Sequence, residues 1–316
     1  MPTVSSVAGP LDTADLGFTL MHEHIMVQSP GVKENFPIMD RRAEIESAVQ
    51  KLKDVMARGV QTLVDLTPAD WRDMPFVKEV VAGSGMQVIV ATGIYWEVPH
   101  YFRTLGARTV DHIAGLFVRD IQEGIMDNGV RAGIIKCASD ETGVTDDVER
   151  ILRASARAHR ATGVPISTHT HAASRVGLKQ QDVFESEGAD LSRVIIGHSG
   201  DSEDLDYLRR LMDRGSCIGM DRFGLDQFLP TEKRVATIAR LCQMGYAEKM
   251  VLSHDASCYF DWADAALIKQ FVPNWHFNYI PDEIVPALRA AGVAEQHIAA
   301  MTVDTPRRIF ERQGAY

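Results

Sequence analysis

Short apolar, β-branched runs recur along the chain, each followed by a longer stretch with helical spacing. The runs read FTLMHEH (18–24), QTLVDLT (61–67), QVIVATG (87–93), AGIIKCA (132–138), PISTHTH (165–171), VIIGHSG (194–200), CIGMDRF (217–223) and MVLSHDA (250–256). Each has the length and side-chain content of a buried strand. Between the first two, Ile45, Ala48, Val49, Leu52 and Met56 keep the spacing of a helix that packs one face on a sheet. Val148, Ile151 and Leu152 begin a second stripe, weakened by the polar Ser155. Gly59, Gly129, Gly163, Gly188, Gly215 and Gly245 stand shortly before the next strand, where helices commonly end in a left-handed turn. Thr145 and Ser202 occupy N-cap positions.

Eight strand-plus-helix units within 316 residues predict the α/β class and a (β/α)8 TIM barrel, one domain over residues 1–316. No linker rich in Pro, Gly or Ser interrupts the alternation. After the eighth strand the segment FDWADAALIKQFVPNW predicts a wide loop before closing helices.

The formal net charge of -10 leaves no basic footprint for nucleic acid or an anionic membrane surface, which points to a small-molecule partner. The opening MPTVSSVAGPLDTADLG has neither a basic nor an apolar signal region, and no segment reaches the roughly 18 apolar residues of a membrane span. The expectation is a soluble, cytoplasmic protein. Cys137, Cys217, Cys242 and Cys258 are scattered without CxxC spacing, which suggests neither a disulfide framework nor a cysteine zinc site.

In a barrel of this kind the chemistry sits at the C-terminal ends of the strands. Those ends carry His22 and His24 on the first strand, Lys136 on the fourth, His169 on the fifth, His198 on the sixth and Asp255 on the eighth. His22 and His24 lie two positions apart and so share one face of a strand. A single histidine in an apolar strand is ordinarily a satisfied core residue. Six ionisable groups at the ends of five strands, each needing a partner once buried, point instead to metal ligation. Imidazole and carboxylate together suit zinc, iron, manganese or cobalt. Lysine is the odd member, because an ammonium has no lone pair to offer. Carboxylated on its amine, Lys136 becomes a carbamate whose two oxygens can bridge two metals; unmodified, it would pair with Asp255.

His171 shares the parity of His169 and stays open as the ligand, although it lies further out. Glu23 and His254 adjoin ligands and face the opposite side, where helix contacts or hydrogen bonds supporting the ligands are expected. His100, His112, His159, His276 and His297 read as solvated surface, and Cys137 and Cys258 as small hydrophobes.

HEH in the first strand, then IIKCASDE, PISTHTH, VIIGHSGD, GMDRFGLD and SHD, in that order, resemble the phosphotriesterase family of the amidohydrolase superfamily. More closely the chain resembles its lactonase branch, from TADLGFTLMHEH to TPRRIF. The resemblance implies a binuclear centre of two divalent metal ions. His22, His24 and Asp255 would hold the buried ion, His169 and His198 the exposed one, and carboxylated Lys136 with a hydroxide would bridge them. Tyr95, in TGIYW, is similar to a tyrosine that the lactonase branch places near the metals, with Trp96 immediately after it. Arg222 in MDRFG and the short connection GLDQFLPTEKR are also similar to that branch, and Trp262 matches a tryptophan of its substrate pocket. Leu225, Phe228 and Trp262 are expected to receive an acyl or alkyl chain. The implied reaction is hydrolysis of lactones, above all N-acyl-homoserine lactones. Asp255 would move the proton and Tyr95 would orient the leaving oxygen, with weak activity on organophosphate triesters and a homodimeric assembly. The alternatives are an aryldialkylphosphatase, a lactonase for lactones unrelated to signalling, and a barrel that binds ligand without turnover.

Overall fold

The computed structural model describes residues 2–36, 38–103, 109–311 and 314–316. An antiparallel hairpin, β1 (Thr3–Ser6) and β2 (Gly9–Asp12), precedes the barrel. The barrel strands are β3 (Phe18–Val27), β4 (Val60–Asp65), β5 (Gln87–Gly93), β6 (Ile134–Ala138), β7 (Ile166–His169), β8 (Val194–Ile196), β9 (Cys217–Met220), β10 (Met250–Leu252) and β11 (Ser257–Phe260). They pair in the order β10-β9-β8-β7-β6-β5-β4-β3-β11, and every pairing is parallel. β10 and β11 are two pieces of the eighth barrel strand: the first pairs with β9 and the second with β3, which closes the (β/α)8 barrel.

Strands covered by helices outside and filled inside must be apolar on both faces. Met21, Val64, Ile89, Ile134, Ile195 and Val251 pack with Ile309 and Phe310 of the helix Thr305–Glu311 as the barrel floor. Two positions further along the same inner face come the polar side chains: Lys136 follows Ile134, His169 follows the buried Ser167, and Asp221 follows Gly219. β3 gains one residue on β4 between Leu20 and Glu23. This bulge lets Met21 join the floor while His22, its neighbour, still reaches the site.

The sixth and eighth strands end earlier than the sequence suggests. β8 stops at Ile196 and β10 at Leu252, so His198 and Asp255 lie beyond them, both in the left-handed region at φ 58° and 59°. At Gly197 a Cβ would stand 2.0 Å from the Thr168 carbonyl, and only glycine lets the chain turn away from β7 there. Gly93, at φ 127°, ends β5 in the same manner against the Lys136 backbone, just before Tyr95.

Thr145 caps the helix Asp146–Thr162, accepting from the Val148 N–H. Ser202 is not a cap: Asp204 caps Leu205–Asp213 through the Tyr207 N–H, and Ser202 Oγ accepts from the Asp204 N–H instead. His159 is not a surface residue either. It is fully buried, with its Nδ1–H donated to the Val164 carbonyl at 2.7 Å.

Candidate metal centre

His22 and His198 stack with ring centroids 4.6 Å apart. Behind them Asp221, fully buried, accepts the Nδ1–H of His22 on Oδ2 and that of His198 on Oδ1, each at 2.9 Å. A carboxylate offers only lone pairs, so both rings carry their proton on Nδ1 and turn a bare Nε2 toward the barrel axis. Lys136, also buried, donates from Nζ to His22 Nε2 at 2.9 Å, so its direct partner is His22. His24 is set by a relay: its Nδ1–H meets Thr67 Oγ1 at 2.9 Å, and the Thr67 hydroxyl donates to Asp65 Oδ1 at 2.6 Å. His169 gives its Nε2–H to Asp140 Oδ2 at 3.1 Å and accepts the Tyr95 hydroxyl on Nδ1 at 2.8 Å.

Asp255 stands among these rings. Its Oδ1 is 3.0 Å from His24 Nε2 and 3.4 Å from His22 Nε2, and its Oδ2 is 3.6 Å from His198 Nε2. These are bare nitrogens facing carboxylate oxygens, lone pair against lone pair. Arg222 donates from Nε to Asp255 Oδ2 at 3.2 Å, and from Nη1 to Asp201 Oδ2 at 3.0 Å. Glu23 clamps the break in the eighth strand from outside. Its Oε1 accepts the Ser253 hydroxyl and the backbone and ring N–H groups of His254, and its Oε2 accepts the Ala256 N–H. The supporting role expected of Glu23 and His254 is therefore what the structure shows.

The donor set fits divalent cations. The Nε2 atoms of His24 and His198 face the Asp255 carboxylate with no proton between them, and a metal ion supplies the positive charge that holds such atoms together. Ligand atoms of His22, His198 and Asp255 lie within 4.8 Å of one another. That group takes one histidine from each of the two sets implied by the family resemblance. Burial pushes the His22 and His198 imidazoles down and that of His169 to about 4, so they are neutral, as ligation requires. Burial also brings the Lys136 ammonium down to about 8, toward the free amine that reacts with carbon dioxide. Burial opposes ionisation of Asp255, but the charge around it, the Arg222 guanidinium included, holds the carboxyl well below its usual range. Of the two candidates on the fifth strand, His169 joins this cluster, its ring 4.5 Å from that of His198. His171 lies further along the chain, with a buried Nδ1 that no hydrogen bond from the described residues reaches.

A cavity of about 550 Å³ opens onto Asp255, Arg222, Tyr95 and Lys136, walled by Leu225, Phe228, Trp262 and Trp71. Phe228 and Trp262, each 52% exposed, form the mouth. The Trp71 ring lies 4.4 Å from that of Tyr95 and meets Trp262 edge-on at 4.8 Å.

Sequence reasoning did not single out Asp221, Asp140, Thr67 or Trp71. Asp221 carried one readable signal, an acidic residue at inward parity just past the seventh strand. Asp140 lies within the quoted IIKCASDE, and Trp71 follows the second strand as Tyr95 follows the third.

The model of the phosphotriesterase family matches residues 2–310. A Mycobacterium tuberculosis protein named phosphotriesterase homology protein is 49% identical over the whole of both chains. The aryldialkylphosphatase of Saccharolobus solfataricus is 40% identical over 95% of this chain and 96% of its own. A solved structure described as the phosphotriesterase from Mycobacterium tuberculosis superposes with a TM-score of 0.97, at 49% identity and full coverage of both chains.

Proposed function

Since the chain belongs to the phosphotriesterase family, its site is that of a hydrolase, and we propose that it is a metal-dependent lactonase. Its substrates are N-acyl-homoserine lactones or other aliphatic lactones, with organophosphate triesters hydrolysed weakly. The observation that carries this reading is the pairing of an apolar, aromatic-walled cavity with a polar cluster at its inner end. Such a cavity suits an ester ring bearing a hydrocarbon tail better than a small polar substrate.

His22, His24 and Asp255 would hold one divalent ion and His169 and His198 the other, with carboxylated Lys136 between them. The ions would be zinc, iron, cobalt or manganese. When bound, such a pair supplies a Lewis acid for the carbonyl and lowers the pKa of water from about 15.7 toward 7. The side chains do the rest. Asp255, ionised and held by Arg222, takes the proton of the attacking water and returns it to the leaving ring oxygen. Burial pushes the Tyr95 phenol up, so it keeps its proton and, once the hydroxyl turns from His169 Nδ1, acts as a donor that orients this oxygen. Leu225, Phe228 and Trp262 receive the chain and shed water from it. The reading includes a homodimer working in the cytoplasm; among the described residues no helix is long and apolar enough to cross a membrane.

The second reading, an aryldialkylphosphatase, is favoured by the 40% identical relative of that name. A barrel that binds without turnover leaves the converging donors unused. Hydrolysis of a long-chain acyl-homoserine lactone and an aryl dialkyl phosphate should be compared on one preparation of measured metal content. Lactone turnover faster by orders of magnitude supports the proposal. A preferred triester supports the second reading, and cleavage of neither rejects both.

A further inference from the structure

Arg234, the fourth residue of the helix Thr231–Gln243, is 1% exposed, and its polar partners among the described residues are Leu229, Gly200, Leu225 and Asp201, none of them assigned to the metals. A buried guanidinium is costly unless its donors are met. Here Nε donates to the Leu229 carbonyl at 3.0 Å, Nη1 to Gly200 at 2.8 Å and Nη2 to Leu225 at 3.4 Å. Two of those carbonyls bracket the loop after β9, the loop that carries Leu225 and Phe228 into the cavity wall. Nη1 also lies 2.6 Å from Asp201 Oδ1, an ion pair by distance and not a hydrogen bond, since among the described residues that oxygen accepts none. The other oxygen of Asp201 holds Arg222, which reaches Asp255 through Nε and lies over the Phe228 ring at 4.6 Å. One continuous line of charge therefore joins the wall of the cavity to the proton-carrying aspartate: Arg234, Asp201, Arg222, Asp255.

We propose that Arg234 is a positioning residue that ties the apolar β9 loop to Asp255 through Asp201 and Arg222, so that chain recognition and proton transfer are set by one anchor. The proposal rests on the hydrolase reading of this site and adds to it the residue that fixes its specificity loop. Lysine at this position keeps a positive charge beside Asp201 but lacks the planar fork that serves three carbonyls at once.

The test uses the full chain as Arg234→Met and Arg234→Lys, matched for metal content. Its readouts are kcat and KM for a long-chain and a short-chain lactone or ester, and hydrogen exchange of residues 224–230 in the metal-free protein. In Arg234→Met, loop exchange should rise roughly tenfold or more, long-chain KM should rise by a similar factor, and kcat should fall for both substrates. Arg234→Lys should restore kcat but leave long-chain KM high. Unchanged loop exchange overturns the anchor, and so do losses that are equal in kcat and KM, in both variants and at both chain lengths. If the Met variant does not fold, the Lys variant decides alone: raised KM with retained kcat supports the proposal, and wild-type constants overturn it. If the wild type cleaves neither substrate, the functional reading fails while loop exchange still tests the anchor.

Discussion

Asp221 grips His198 twice, accepting its backbone N–H at 2.8 Å and its Nδ1–H at 2.9 Å on the same oxygen. That double hold lets a non-glycine residue stay at φ 58°, where strain must be offset by surrounding contacts. The second oxygen takes His22, so one carboxylate sets the tautomer of two rings that different strands deliver. Asp221→Asn replaces one acceptor by an N–H₂ and faces one of the two imidazoles with a donor. Metal affinity should fall about 10- to 100-fold. Titration against a competing chelator measures this, and wild-type affinity would reduce Asp221 to a packing role.

Lys136 is the sole amine in the cluster and is buried against His22. If its carbamate bridges two ions, Lys136→Ala removes ligand atoms from both. Bound metal and turnover should then vanish together in elemental analysis and assay. Stoichiometric metal in the variant would rule out the bridge.

Tyr95 reaches the site with its hydroxyl on His169 Nδ1, while its ring stands edge-on to His169 at 5.3 Å and packs on Trp71. Tyr95→Phe keeps the ring and removes the donor. Lactone kcat should fall roughly tenfold or more with metal content unchanged. An unaltered kcat would make Tyr95 a lining residue only.

His22, His24, Lys136 and His169 are legible in the sequence because β3, β6 and β7 extend to them as strands, where inward parity has meaning. His198 and Asp255 come from motif order, not parity: both stand past their strands in left-handed conformations that no alternation rule anticipates. Asp221 escapes for another reason. Its partner His22 lies 199 residues away, and only closure of the barrel, which leaves just the split eighth strand between β9 and β3, brings the two together. Ser202 and His159 fail locally. A better cap stands two residues after Ser202, and the burial of His159 depends on a carbonyl beyond the helix end.

His159 also links the floor side of the barrel to pH. Burial pushes its imidazole down to about 4, its Nδ1–H is committed to Val164, and among the described residues no partner reaches its buried Nε2. In the unfolded chain the same group titrates near 6.5. Between these values the unfolded state binds the additional proton, so this contribution to stability is complete above about pH 6.5 and is lost as pH falls toward 4. A gap of that size corresponds to about 3 kcal/mol. His159→Asn keeps an N–H for the Val164 carbonyl and removes the titrating nitrogen. The variant should lose melting temperature less steeply than the wild type between pH 7 and 4.5, with turnover at neutral pH unchanged because the metal cluster lies at the opposite end of the strands. Melting curves across that range decide the matter: parallel slopes for the two proteins would place the acid sensitivity elsewhere in the fold.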